Sequence, residues 1–307
     1  MDINVIVDND NNELYLELNI FYNIGLIILG IIAYIFNIFF IYIIWKERLW
    51  KQSIQYVFQI LISGSGMTLG LRNIIVGIIN LTVFDSSIPS YDFLICKIKY
   101  AIDILILYVF ELSFGFRMAN FTILIGRPVF YKNYLENVRN KKYLVIILLF
   151  FPIMCTLFYI LDINDSKITK NCRIHSFMGE KYKYFFVGFL VFIDTISIPT
   201  LIYGLYKVVK LNLNKSAKDN VIRLSNYYNF IYIIFLVLPF NTIVISFFLR
   251  ADSFLIGLYY DVSMFSIAIV AIVDFIFAIL HNKPVKDTAM KMLKVKNKVS
   301  FLYGLTN

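Results

Sequence analysis

Residues Phe116–Asn133 read FRMANFTILIGRPVFYKN. The stretch closes an apolar run that begins near Ala101, and it opens a loop carrying Arg127, Lys132, Arg139, Lys141 and Lys142. An arginine and an asparagine at the end of such a run, followed by a basic loop, mark the point where a membrane helix leaves the bilayer on its positively charged side. Composition agrees: 60% of the 307 residues are hydrophobic and 16% charged, with a mean hydropathy of +0.74. Soluble domains average roughly 45–50% apolar and 25% charged. The chain reads as a polytopic, all-α membrane protein.

A helix needs about 20 apolar residues to cross the hydrocarbon. Seven runs qualify: Ile20–Trp45, Ile54–Ile79, Leu94–Ile125, Tyr143–Leu161, Tyr184–Val209, Tyr227–Leu249 and Phe254–Leu280. The third is interrupted by Asp103, Glu111 and Arg117, so six helices is the competing count. With seven helices and the N-terminus outside, 19 of the 29 basic residues fall on the inner side and eight on the outer, while the first 19 residues hold five acids and no Lys or Arg. The positive-inside rule therefore favours N-out, C-in, and an odd number of crossings. Residues 1–19 are expected outside, 20–280 in the seven-helix domain and 281–307 in a cytoplasmic tail. Dispersal of the basic residues among loops explains the net charge of +9 by topology, without nucleic acid. No cleavable signal peptide is expected, because the N-terminus is acidic. In the tail, Val285, Ala289, Met292 and Leu293 share one helical face and lysines occupy others, the pattern of a short interfacial helix along the inner leaflet, where its lysines meet anionic lipid.

Several landmarks sit at telling intervals. Gly30 and Asn37 lie in the first run; Cys96 opens the third and Cys172 follows the fourth, both on the outer side. Pro199 and Pro239 interrupt the fifth and sixth runs, where a proline bends a helix. Asp274, in DFIFA, lies 35 residues beyond Pro239. In this arrangement the chain resembles the rhodopsin-like G-protein-coupled receptors. The resemblance implies a Cys96–Cys172 disulfide, with Cys155 left as a free thiol, and makes Asn37 the helix-one asparagine, which would find partners on neighbouring helices. Counting from Cys96 as the family does puts Phe121 in the helix-three arginine slot, after Asn120, with Pro128 and Tyr131 following where the family has them. Ser65 stands where the family has an aspartate, Val237 where it has a tryptophan, and Asp274 where it has Asn-Pro-x-x-Tyr. A short chain with this pattern is most similar to nematode serpentine chemoreceptors of the srg and srv types; bitter taste receptors are the second resemblance.

Ionisable residues inside a helix core mark functional sites by default. Six qualify: Arg72, Asp103, Glu111, Arg117, Asp194 and Asp274. Asp103 and Arg72 fall at similar depth in the outer half, so they pair with each other, or Asp103 contacts a cationic ligand directly. Arg117 lies 14 residues beyond Asp103, on nearly the same face. Asp274 is within its depth, but snorkelling or a backbone partner is the favoured expectation for Arg117. Glu111 and Asp194, near mid-membrane, are expected first as protonated, hydrogen-bonded carboxylic acids, with a shared proton or a ligand contact as the alternative. The sequons at Asn80 and Asn164 fall in expected outer loops, open to glycosylation.

Two histidines and three cysteines provide no metal-ligand spacing, and no cofactor or enzymatic activity is expected. The run Phe254–Leu280 has no lysine for a retinal Schiff base. Transporters commonly show internal repeats, which this chain lacks; a transporter or channel using Glu111 and Asp194 stays as the alternative. The reading preferred is a plasma-membrane, multi-pass chemosensory receptor. It would bind a small molecule or peptide in the outer half of the bundle and couple to a heterotrimeric G protein through Asn120, Phe121, Arg127, Pro128, Tyr131, Lys207, Lys210 and Arg223.

Overall fold

The computed structural model describes residues 7–8, 13–14, 20–83, 93–162, 179–210, 253–292 and, in part, 222–233. A two-residue antiparallel pairing, Val7 with Leu14 and Asp8 with Glu13, precedes the helices. Then come α1 (Ile20–Lys46), α2 (Leu49–Gln52), α3 (Ile54–Val83), α4 (Phe93–Gly126), α5 (Pro128–Phe130), a π-helical turn at Tyr131–Leu135, α6 (Val138–Leu161), α7 (Glu180–Lys210), α8 (Ser253–His281) and α9 (283–292). Five helices are long and apolar enough to cross a membrane: Ile20–Lys46, Ile54–Thr82, Arg139–Leu161, Lys181–Val208 and Asp261–His281. These correspond to five of the seven expected runs. The third is a 34-residue helix, α4, which is not among those five. The sixth lies mostly outside the described residues, as do Cys172, Asn164 and Pro239. Of Cys96 and Asp194 only the helical backbone is described.

The reason for reading a membrane is clearest on α1. Phe21, Ile24, Ile28, Ile31, Ile35, Ile38, Tyr42 and Trp45 are exposed, at alternating spacings of three and four that trace one helical stripe. The opposite stripe buries Asn23, Leu26, Gly30, Ala33, Asn37 and Phe40. Large apolar side chains outside, with Asn23, Gly30, Ala33 and Asn37 among those inside, invert the soluble pattern, and water would not tolerate such a patch. Lipid does, provided the backbone is satisfied within the helix.

Close approach holds α1 on α3. A Cβ added at Gly70 would lie 2.7 Å from the Gly30 carbonyl oxygen and 2.8 Å from the Tyr34 nitrogen, so two backbones meet where any larger residue would stand. Small residues at such crossings are what membrane helices use in place of a hydrophobic drive. Near the C-terminal end of α3, Asn80 donates to the Asn23 side chain at 2.9 Å. Asn80 is therefore a buried helical residue tying α3 to α1, and the expectation that its sequon lies open in an outer loop is corrected. Asn37 is also corrected: its amide donates to the Ala33 carbonyl of its own helix at 2.7 Å, and its neighbour across the interface is Gly66, with no side-chain partner there.

The centre belongs to α4, which touches α3, α6, α7 and α8. Its N-terminal half packs an aromatic cluster: the Tyr182 hydroxyl donates to Tyr108 at 3.0 Å, and Tyr108 packs edge-on to Phe189 with centroids 4.5 Å apart. The turn into α7 is equally tight. Asp162 Oδ2 accepts from the Tyr182 N–H at 2.7 Å, capping the first turn of α7. Gly179 sits so near Asp162 that a Cβ would overlap it.

The tail forms α9, and Val285 and Ala289 of its expected apolar face turn inward. Val285 and Ala289 are buried on Phe40, Ile43, Ile44, Leu49 and Ala278, so protein covers the apolar face, while Lys283, Lys286 and Lys291 are exposed. Tyr56 and Asn282 hydrogen-bond side chain to side chain, fixing the α8–α9 junction to α3.

Candidate functional site

Two buried ion pairs define the site, and both use α4. In the first, Arg72 Nη2 lies 2.5 Å from Asp103 Oδ2, with Asp103 fully buried. Arg72 Nη1 also donates to Asn73 Oδ1 at 3.0 Å, which aims the guanidinium across to α4. Of the two expectations for Asp103, this geometry forms the pair; the carboxylate faces its own cation and is closed to solvent. Breaking such a pair by removing one partner typically costs about 3–5 kcal/mol, because it strands a buried charge.

In the second, Arg117 Nη1 lies 2.8 Å from both carboxylate oxygens of Asp274 on α8. Both side chains are 2% exposed or less. Arg117 is buried on Asp274, and the expectation that it snorkels is corrected. A carboxylate at the same depth meets the guanidinium at less cost than stretching it to the interface. The Tyr227 hydroxyl donates weakly to Asp274 at 3.4 Å, and its ring stacks on Phe277. Fourteen residues separate Asp103 from Arg117, which is about 40° around the helix and roughly 21 Å along it. One face of α4 therefore carries both pairs.

Below the second pair opens a pocket of about 400 Å³, lined by Tyr56, Gln59, Arg117, Phe121, His281 and Asn282 among others. It contains Phe121, the residue in the arginine slot of the resemblance, and it faces the end of the bundle where α3 begins and α8 ends. Arg117 of the pair lines it, so a group that enters this pocket can meet Arg117.

The loop beside the pocket is held by a cluster that sequence reasoning missed. Glu136 Oε1 accepts from the Tyr131 hydroxyl at 2.5 Å, the Ser53 hydroxyl at 3.0 Å and the Ile54 N–H at 3.2 Å, so it caps α3 from a distant loop. Lys141 pairs with its other oxygen. Burial opposes ionisation of Glu136, but Lys141, Tyr131, Ile54 and Ser53 outweigh it and hold the carboxyl below its ordinary value. Burial, and then the Glu136 carboxylate, push the Tyr131 hydroxyl up to about 12. Tyr131 was expected at the coupling surface; it is buried, and its work is to anchor the loop. No local signature announces a contact between residues 53 and 136.

The remaining expected residues are scattered. Arg127, Pro128, Lys210 and Arg223 are exposed, and Lys207 is half-buried with its ammonium 5.5 Å from the Tyr203 ring centre. Asn120 and Phe121 are buried on α4, as is Glu111. Ser65, in the family's aspartate slot, bonds back to the Leu61 carbonyl at 3.1 Å. Pro199 lies within the continuous helix α7. Cys155 is a buried free thiol, as expected. No protein-family model matches the chain, and no curated protein matches it significantly.

Proposed function

We propose that the chain is a seven-helix receptor of the plasma membrane, N-terminus outside, that takes a ligand in the bundle and signals to a heterotrimeric G protein at its inner face. The similarity to serpentine receptors makes chemosensing the role it is expected to serve. Topology supports the count. The Ser53–Glu136 and Tyr56–Asn282 bonds bring the start of α3, the loop after α4 and the end of α8 to one side, and the Asp162–Tyr182 bond joins the end of α6 to the start of α7 on the other. Helices α7 and α8 then both run towards the first side, so the chain between them has to return, and Tyr227–Leu249 is long enough to do so. The basic residues make that first side the inner one.

The observation that carries the reading is the Arg117–Asp274 pair, whose arginine lines the inner pocket. It joins the central helix to α8, it is buried, and it lies where an intracellular partner would enter: the properties of a latch between two bundle arrangements. No chemistry is asked of the chain. The test is ligand-independent signalling in cells expressing the full chain, read with reporters for each G-protein class. Asp274→Asn, which keeps the shape and removes the charge, is expected to raise basal signalling above wild type at equal surface expression. A well-expressed, silent Asp274→Asn, with ion or substrate flux instead, would discard the receptor reading in favour of a transporter.

A further inference from the structure

On the face of α4 opposite the ion pairs lies a groove of about 280 Å³, shared with α6 and α7. Gly115 and Ala119 of α4 make its floor, Phe151 of α6 and Phe192 of α7 its walls, and Phe116 and Phe192 are exposed at its mouth. Among the described residues no acid or base lines it, and Ser197 is the one polar side chain. Ile147 and Phe151 on α6, and Phe189 to Ser197 on α7, are each at least nine residues from either helix end, which is about 13 Å of helix. The mouth therefore opens at hydrocarbon depth, on helices apolar enough to cross a membrane.

Ser197 sets this groove apart from a gap filled by acyl chains. On the same helix Thr195 and Thr200 spend their hydroxyls on the Val191 and Ile196 carbonyls, each at 2.7 Å, the usual way to satisfy a hydroxyl inside a membrane helix. Ser197 is 5% exposed and makes no hydrogen bond among the described residues, although it lines the groove. Gly115 leaves room in front of it: a Cβ there would stand 3.5 Å from the Ser197 oxygen. A hydroxyl that opens into an apolar groove at hydrocarbon depth without a partner costs free energy that a ligand atom returns.

We propose that this groove binds a small, uncharged lipophile bearing one hydrogen-bonding oxygen, of the medium-chain alcohol or ketone class, which enters sideways from the bilayer and bonds to Ser197. The apolar walls exclude ions, the depth excludes water-borne solutes, and Ser197 selects a molecule with a polar group over a lipid tail. The inference needs these helices to cross a membrane; it does not need the chain to signal.

The probe is octan-1-ol carrying a diazirine at carbon 3, photolysed with the full-length protein in lipid nanodiscs, with adducts mapped by mass spectrometry. Adducts are expected on Phe116, Phe151 and neighbouring groove residues, displaced by excess octan-1-ol several times more effectively than by octane. Ser197→Ala is expected to weaken protection by octan-1-ol about fivefold, the loss of one neutral hydrogen bond. Gly115→Ala, whose methyl makes only ordinary contacts, is expected to weaken it by shielding the hydroxyl. Labelling spread evenly over the lipid-facing residues, equal competition by octane and octan-1-ol, or an unchanged Ser197→Ala would each overturn the assignment. Because the readout is binding alone, a labelled groove in a silent protein would leave this site standing while the receptor reading fell.

Discussion

Gly70→Ala is the sharpest test of how the bundle is held. The new methyl would lie 2.7 Å from the Gly30 oxygen, 2.8 Å from the Tyr34 nitrogen and 3.3 Å from its α-carbon. All three are backbone atoms of α1, so no side chain can rotate away, and the helices must part by roughly 0.7 Å to restore ordinary contact. Overpacking of this kind costs about 1–3 kcal/mol. Alanine also returns up to about 1 kcal/mol of helix propensity, so the raw change understates the clash. Gly64→Ala on the same helix supplies the control, because nothing lies within 4 Å of its added methyl and only the propensity gain operates. Gly77→Ala should fall between: its nearest neighbour, at 2.6 Å, is the Ile27 side chain, which can turn. Unfolding free energies measured by steric trapping in bicelles are expected to rank Gly64→Ala above Gly77→Ala above Gly70→Ala, the extremes differing by about 1–3 kcal/mol. If Gly70→Ala proved as stable as Gly64→Ala, α1 and α3 would not be in backbone contact and the packing described here would be wrong.

Two further outcomes follow from the charged groups. Asp103→Asn strands Arg72 and is expected to cost about 3–5 kcal/mol in the same assay, whereas the double variant Arg72→Met with Asp103→Leu should recover most of it; a double variant as unstable as the single would mean the pair is not what the site loses. Glu136 is more acidic folded than unfolded, so its ionisation favours the folded state above the ordinary carboxylate value of 4.5 and that contribution fades as pH falls towards the lowered folded value. Glu136→Gln should therefore cost about 1–3 kcal/mol at pH 7, by thermal unfolding in detergent, with the gap to wild type closing below about pH 4.5; a gap independent of pH would remove the Lys141 and Tyr131 partners from the account.

What could be read from the sequence was what lipid imposes. Hydrocarbon forces a helix to be long and apolar, so α1, α6 and α8 start and stop within a few residues of their runs, and Tyr143 as a predicted start missed α6 by only one turn because Asn137 caps it earlier, accepting from the Arg139 N–H at 3.0 Å. Hydrocarbon also leaves a buried charge few partners, which is why Arg72 and Asp103 could be matched on depth alone. Where several partners were open, sequence reasoning chose wrongly. Asn37 took the carbonyl one turn back in its own helix, always within reach. Arg117 took Asp274, 157 positions away, and separation along the chain carries no cost once the helices are packed. The helix contact itself was present as Gly66-Met-Thr-Leu-Gly70, two small residues one turn apart. Glu136 had no such sign, because its role exists only when two loops meet.

The placement of both ion pairs on α4 constrains any mechanism the bundle can have. Asp103 holds α4 to α3 and Arg117 holds it to α8, on nearly the same face, while the groove occupies the other. A rotation of α4 that carried one charged side chain off its partner would carry the second in the same direction. The two contacts are therefore not independent locks but two ends of one lever. A ligand acts through this lever only to the extent that it favours one position of α4 over the other, whichever face it binds. Against pairs that each cost about 3–5 kcal/mol to break, a single hydrogen bond to Ser197, at about 1 kcal/mol, is too little to open the bundle alone. On the receptor reading proposed above, opening would need the pairs to exchange partners rather than to part, and the pocket lined by Arg117 is where an exchange partner would stand. On the same reading, an intracellular protein that offered Arg117 a carboxylate or a row of backbone carbonyls would do more to stabilise an open bundle than the ligand would. Activation would then depend on the concentration of that partner as steeply as on the ligand's.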